Sequence, residues 1–310
     1  MTTLAYASVC QSGLSFNGQL WMREEIVPEL KRITDAIHAE GAKASIQLGH
    51  CGNMTHRATC GCTPVGASTG FNLYSPTFVR GLRKDEFGGS LDNRMRFMRL
   101  VINKVMAEAR DDMGVIVKMN MHDGFKKGMQ TDECIEVAKE LERLGVHALV
   151  LSAGFVSKAP MEVMRGAMPL KTLAHYMDFR KFWWLKAGLA VGGRLMIPTV
   201  PYSEGYFLEE AKKFRAAVAL PLIYVGGLIS RAKMEEVLNA GFQGLQMARA
   251  LVHDTDFVNK LHSGELECSG CKHSNYCIGR MYTLEMKCHH CVDNLPEKLQ
   301  KEVDEAEATL

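Results

Sequence analysis

Five of the ten cysteines fall inside one short stretch, ECSGCKHSNYCIGRMYTLEMKCHHC, as Cys268, Cys271, Cys277, Cys288 and Cys291. Thiols clustered as CxxC pairs, in a chain whose first residues, MTTLAYASVC, lack a basic leader, point to metal binding in a reducing compartment more than to disulfides. The cytosol or an organelle matrix is the expected location. A second set of chemically capable residues is spread along the chain, each at the end of an apolar run: Gln47 and His50, Lys118 and Asn120, Ser152, Gly226 and Gly227, and Arg249. A third stretch, DEFGGSLDNRMRF at residues 85–97, reads as a loop feeding a helix. Gly88 and Gly89 allow a sharp turn, Ser90 is a candidate N-cap, and Asp92 in the first turn favours the helix dipole.

The elements that must position these residues alternate in period. Ile26, Leu30, Ile33 and Ile37 recur at helical spacing and stop at Gly41, and ASIQL (44–48) follows as a short strand. A helix from Asp92 to Ala109 leads to VIVKM (115–119), and one opened by Thr131, Asp132 and Glu133 and stopped at Gly145 leads to HALVLS (147–152). Helices at Glu209–Ala217 and Ser230–Ala240 lead to LPLIYV and GLQMA. The strands are apolar runs rather than alternations, which suits parallel strands covered on both faces. The expected fold is therefore α/β with crossover connections, and a TIM-type (β/α)8 barrel is favoured over a doubly wound sheet because no GxGxxG follows any strand. In such a barrel the polar strand ends converge on one rim. Five firm strands and a fragment at Thr2–Ala7 fall short of eight, so the barrel is expected to be incomplete.

Composition narrows the classes. The chain has 310 residues, 47% of them hydrophobic, and its 37 basic and 35 acidic residues are interspersed. That is enough to bury a large core, and it leaves no basic patch interleaved with aromatics for nucleic acid. The most apolar stretch, FWWLKAGLAVGGRLMI from Phe182, is broken by Lys186 and Arg194 and is too short and too charged to span a bilayer. Met95, Met98 and Met106 read as core filler, and His50 and His122 as hydrogen-bonded wall residues without a catalytic role.

In order along the chain, DAIHAEGAKASIQLGHCGN, DEFGGSLDNR, YVGGLIS and LQMARAL resemble the signatures of the old yellow enzyme-like FMN barrels. The resemblance covers most of the chain. It is to the NADH:flavin oxidoreductase branch, which holds NADH oxidase and 2,4-dienoyl-CoA reductase-type proteins. It implies an FMN-dependent oxidoreductase that takes hydride from NAD(P)H and passes it through flavin to an activated alkene or another small-molecule acceptor. It gives Gln47 to the flavin pyrimidine edge, Lys118 to the charge at flavin N1 and O2, Ala5 to packing on the ring, and Gly226, Gly227, Ala248 and Arg249 to the phosphate.

Two departures accompany it. The family carries a helix and a strand with a substrate-binding His-x-x-His or His-x-x-Asn before the GGS turn, where here only VRGLRK links SPTF to DEFGGS, and Met1 falls close to the family's second strand. The alternative is thus a catalytically impaired FMN- or metal-binding remnant serving as an interaction protein. The cysteine segment resembles the one that follows the barrel in iron–sulfur members, which makes Cys268, Cys271, Cys277 and Cys288 candidate ligands of a [4Fe–4S] cluster. Five residues between the second and third cysteine depart from that spacing. Zinc held with the help of Cys291, His273, His289 and His290 is the competing arrangement. The expected division is a barrel at 1–262 and a Cys-rich segment with a terminal helix at 263–310, with a homo-oligomer possible and no nucleic-acid or membrane partner expected.

Overall fold

The computed structural model describes residues 1–52, 55, 57–62, 70–72, 77–79, 86–155, 159–176, 188, 191–195, 197–280, 287–291 and 295–307. Much of the SPTF–VRGLRK link, on which the missing His pair was read, lies outside them. The chain divides into two compact units, Met1–Met98 and Arg99–Leu310.

In the first unit, β1 (Thr2–Ser8) is followed by α1 (Val27–Ala39) and β2 (Ala44–Gly49). Pro28 sits in the first turn of α1, where a missing N–H costs nothing, and Gly41 at φ 72 turns the chain out of it. β1 and β2 pair in parallel, with an irregularity between Leu4 and Ala7. A short helix α2 (Arg57–Cys60) and an antiparallel pair, β3 (Gly70–Asn72) with β4 (Thr77–Val79), complete the unit; that pair was not expected from the sequence. The loop before α3 (Leu91–Glu108) folds as its residues imply: Ser90 Oγ accepts from Asn93 N at 3.3 Å, and Gly89 has φ 85. The helix does not bury its whole apolar stripe. Ile102 is buried, but Val101 and Val105 of the same apolar run are exposed, as are Phe97 and Leu100.

The second unit carries the regular βα repeat. Its strands are β5 (Ile116–Asn120), β6 (Ala148–Ser152), β7 (Leu222–Val225) and β8 (Gly244–Gln246), all parallel and in the order β5-β6-β7-β8. Between β5 and β6 runs α4 (Thr131–Arg143), with Asp132 and Glu133 in its first turn, Cys134, Ala138 and Leu141 buried along one face, and Gly145 at φ 82 beyond its end. After β6 come α5 (Pro160–Met164), α6 (Leu170–Tyr176) and α7 (Leu208–Ala217), and after β7 comes α8 (Arg231–Asn239), capped by Ser230 Oγ accepting from Lys233 N. α9 (Arg249–His253), α10 (Phe257–Ser263), α11 (Tyr276–Arg280) and α12 (Glu297–Glu307) follow β8.

Every residue of β6 is buried, as an apolar central strand covered on both faces must be. Its Leu149 and Leu151 are fully buried, as are Leu222 and Tyr224 on β7 and Phe207 and Phe214 at α7. Among the described residues the six parallel strands fall into two sheets, of two and four strands, and no ladder closes them into a ring. This is the incomplete α/β barrel that the strand count implied.

Candidate active-site rim and cysteine cavity

Parallel pairing puts the carboxyl ends of β5 to β8 on one edge. Asn120 pairs with Ser152 at the last register positions of β5 and β6, and Gly226 and Gly227 directly follow β7. Lys118 on β5 and Gln246 on β8 are on the two outer strands of this sheet, yet Lys118 Nζ donates to Gln246 Oε1 at 3.0 Å. Three strand spacings of about 4.8 Å would hold flat edges too far apart for that bond. The sheet therefore curls, and both side chains project into its concave face. Lys118 remains exposed by area. Enough protein crowds its ammonium that desolvation lowers its pKa from 10.5. A cation open to solvent in a concave, partly desolvated face is a ready partner for an anionic ring edge.

At the next strand end the backbone is shaped by tyrosines. Gly227 has φ 66, and a Cβ there would stand 2.5 Å from the Tyr206 ring and 2.7 Å from that of Tyr202. At Gly226 a Cβ would meet the Tyr224 hydroxyl at 2.0 Å. Both positions thus require glycine on packing grounds alone. Tyr202 donates to Gly227 O at 2.6 Å. Glu204 accepts from Ile229 N, Ser230 N and Ser230 Oγ at 2.6–2.8 Å, which fixes the turn into α8.

Ala248 is exposed at the N-cap of α9, and Arg249 begins that helix. The Arg249 guanidinium donates to Asn275 Oδ1 at 2.7 Å. It also stands beside Tyr206, where it opposes the rise that burial gives the phenol's pKa. Asn275 is buried, adopts φ 62, and donates through Nδ2 to Arg165 O and Ala167 O. Arg249 is therefore aimed and held by the cysteine segment.

The structure places Gln47 on β2, exposed, and Ala5 on β1, both in the first unit. His50 accepts from Gly52 N at 3.0 Å and meets Ser12 Oγ at 3.3 Å. His122, just past β5, lies between two carboxylates, 2.7 Å from Glu210 and 3.1 Å from Glu162. The Glu210 hydrogen bond, against burial and with help from Glu162, raises its pKa above 6.5. Both histidines are hydrogen-bonded as expected. The partners Glu162 and Glu210, and Gln246, were not foreseen, because each is an ordinary polar residue on a helix or strand until the fold brings it across.

Of the four predicted cluster ligands, Cys271, Cys277 and Cys288 line one cavity together with Arg249 and His289. Cys268 is not among its lining residues. It is exposed, bridges to Ser230 through its backbone, and its thiol donates to Ser269 O at 3.6 Å. Burial raises the thiol pKa of Cys271 and Cys277 and pushes Cys288 up to about 12. His273 stacks on Tyr202 at 3.8 Å, and His290 bonds Ser274 at 2.8 Å. His289 stacks on Tyr276, and burial lowers its pKa to about 4.

A curved sheet of parallel strands with its polar residues at the carboxyl-end rim is the arrangement of an α/β barrel. Comparison with solved structures agrees. The 2-naphthoyl-CoA reductase in complex with 2-naphthoyl-CoA superposes with a TM-score of 0.71 at 18% identity, over 97% of this chain and 50% of that one. The old yellow enzyme homologue from Zymomonas mobilis gives 0.62 at 14% identity, over 91% and 86%. The pattern of the NADH:flavin oxidoreductase / NADH oxidase family matches residues 73–196. The 4,4'-dithiodibutanoate disulfide reductase of Rhodococcus erythropolis is 30% identical, over 91% of this chain and 81% of that protein. The N,N-dimethylglycine/sarcosine dehydrogenase of Chromohalobacter salexigens is 24% identical over 84% of this chain, which spans 40% of that protein's length. The chain belongs to the NADH:flavin oxidoreductase / NADH oxidase family. No described helix is long and apolar enough to cross a membrane.

Proposed function

We propose that this chain is an FMN-dependent oxidoreductase that uses NAD(P)H to reduce a small-molecule acceptor, an activated alkene in the first instance. The observation that carries the proposal is the Lys118–Gln246 bond, which makes β5 to β8 one concave face with a cation at its rim. The residues fit the cofactor. Lys118 offers a positive charge to the electron-rich end of the flavin ring, and Gln246 orients that charge. Arg249, fixed by Asn275 and close to Tyr206, the ring that also packs on Gly227, offers a guanidinium to the phosphate. Gln47 and Ala5 are assigned to the pyrimidine edge and the ring face. Bound FMN supplies the two-electron chemistry between NAD(P)H and the acceptor. The protein's contribution is orientation and fixed charge.

A disulfide is the second acceptor class, favoured by the 30% identity to a disulfide reductase. The cysteine-rich segment is assigned to metal binding, supported by three of its thiols sharing one cavity. The test is the visible spectrum of the purified chain before and after anaerobic NADH or NADPH, followed by reoxidation with an enone or with 4,4'-dithiodibutanoate. A flavin band bleached by the nucleotide and restored by one acceptor is expected. A chain that retains no flavin, or flavin that neither nucleotide reduces, would refute the proposal and leave the impaired remnant.

A further inference from the structure

A cluster of ligating atoms that the rim does not use lies where α9 meets the second CxxC. His253 is the last residue of α9. Its Nδ1 stands 3.5 Å from Cys288 Sγ and 3.4 Å from Cys291 Sγ, and the three donor atoms all lie within 4.8 Å of one another. The two sulfurs come together because His289–Cys291 forms a tight turn in which Cys291 N donates to Cys288 O at 3.0 Å. The other side of the imidazole is accommodated by a glycine: a Cβ on Gly270 would stand 2.5 Å from His253 Nε2. Gly270 belongs to the first CxxC, so both CxxC pairs serve one histidine, the first by leaving room and the second by presenting thiols.

From this geometry we infer that His253, Cys288 and Cys291 form a mononuclear site for a zinc-class divalent cation, clamping the cysteine segment to α9. The inference rests on the proposal that this segment binds metal, and it replaces the four-cysteine ligand set. The distances suit a single ion. Zinc–sulfur bonds of about 2.3 Å and zinc–nitrogen bonds of about 2.0–2.1 Å at a tetrahedral angle place N and S about 3.5 Å apart. Two thiolates and a neutral imidazole are donors of borderline softness, which select zinc over calcium or magnesium. Cys271 lines the same cavity as Cys288 and is the thiol from which a fourth ligand would come; otherwise water completes the tetrahedron. A [4Fe–4S] cluster on Cys268, Cys271, Cys277 and Cys288 has no such preassembly, since the Cys268 thiol faces its own neighbour's carbonyl. The clamp also has a consequence for the rim. α9 begins with Arg249 and ends with His253, so an ion at one end fixes the helix whose other end is assigned to the phosphate.

The experiment is zinc, iron and acid-labile sulfide analysis of the full chain and of His253→Ala, Cys291→Ser and Cys268→Ser, with the flavin band read on the same samples. About one zinc per chain is expected in the unaltered protein and in Cys268→Ser, and its loss in the other two. Because those two variants could fail to fold, chelator-treated unaltered chain is also titrated with cobalt(II) alone. Intense thiolate-to-cobalt absorption with tetrahedral bands supports the site, and weak octahedral bands overturn it. Iron and sulfide in near-equal amounts, lost in Cys268→Ser and kept in His253→Ala, would overturn it in favour of the cluster. A chain that takes up neither zinc nor cobalt also overturns it. Zinc without flavin would sink the FMN assignment alone, and flavin without any metal would sink this one alone.

Discussion

The strand-end rim and the cysteine segment are both built from polar residues in the second unit, but they are held in different ways. At the rim, Lys118, Asn120 and Ser152 stand where the parallel ladder of β5 and β6 puts them, in an unbroken register. In the segment, His273 and Asn275 adopt φ values of 54 and 62, where side chains other than glycine are uncommon. They are kept there by distant partners, such as the carbonyl of Arg165, 110 residues upstream of Asn275. A ladder fixes position through repetition, whereas the segment depends on individual bonds. Damage to the sheet core should therefore lower both regions together, and damage to one bond in the segment should act locally.

Phe214→Ala tests the first half of that contrast and should have the largest effect. Phe214 is fully buried on α7, and removing such a ring costs about 3–5 kcal/mol. Thermal denaturation followed by circular dichroism should show one lower transition for the whole second unit. Two separated transitions, with the cysteine segment unaffected, would break the comparison by showing that the segment does not depend on the sheet.

Gly227→Ala is the intermediate case. The backbone conformation alone costs about 1–3 kcal/mol for a residue with a Cβ, before the contact with Tyr206 and Tyr202 is counted. A lower melting temperature and a loss of bound flavin are expected together, because the turn is shared by packing and by the assigned phosphate site. Arg249→Ala separates the two. It leaves the turn's backbone intact, should lower the melting temperature only through the lost bond to the buried Asn275, and should weaken flavin retention by about 10–100-fold, the equivalent of one charge-assisted hydrogen bond. Unchanged flavin content would remove Arg249 from the phosphate site. Asn275→Ala should weaken retention less, since it frees the guanidinium without deleting it.

The same contrast explains what could be read from the sequence. Helical spacing, Gly stops and apolar runs located β5 to β8 and their helices to within a residue or two, because those signals are local and repeat. The exposed Val101 and Val105 show where this fails: periodicity says that a face is apolar, and only the neighbours decide whether it is covered. Lys118 was legible as a strand-end cation, but its partner Gln246 was not, because sheet curvature joins residues 128 positions apart. In the segment, the cysteine spacing raised the expectation of metal binding. It could not announce His253, which precedes the first CxxC and is brought to the second only by the packing of α9 against Gly270.

The smallest effect concerns a group on the ladder side, His122, and appears as a change of slope with pH. Its side chain is 19% exposed and lies between Glu210 and Glu162, so protonation completes a half-buried, hydrogen-bonded ion pair. Hydrogen bonding to Glu210, outweighing burial, holds its folded pKa above the 6.5 of the unfolded chain. The stabilisation it contributes is therefore fully present below about pH 6.5 and is lost as pH rises through the raised folded value. Glu210 behaves oppositely. Burial would raise its pKa, but bonds from His122 and Thr131 prevail and lower it, so its contribution is present above the ordinary carboxylate range and fades in acid. Denaturant midpoints measured across this range should fall on the alkaline side in the unaltered chain. In His122→Gln, which keeps a hydrogen-bonding side chain but cannot be charged, the alkaline fall should flatten. An identical fall in the variant would assign the titration to another group and show that the charge on His122 does not hold the end of β5.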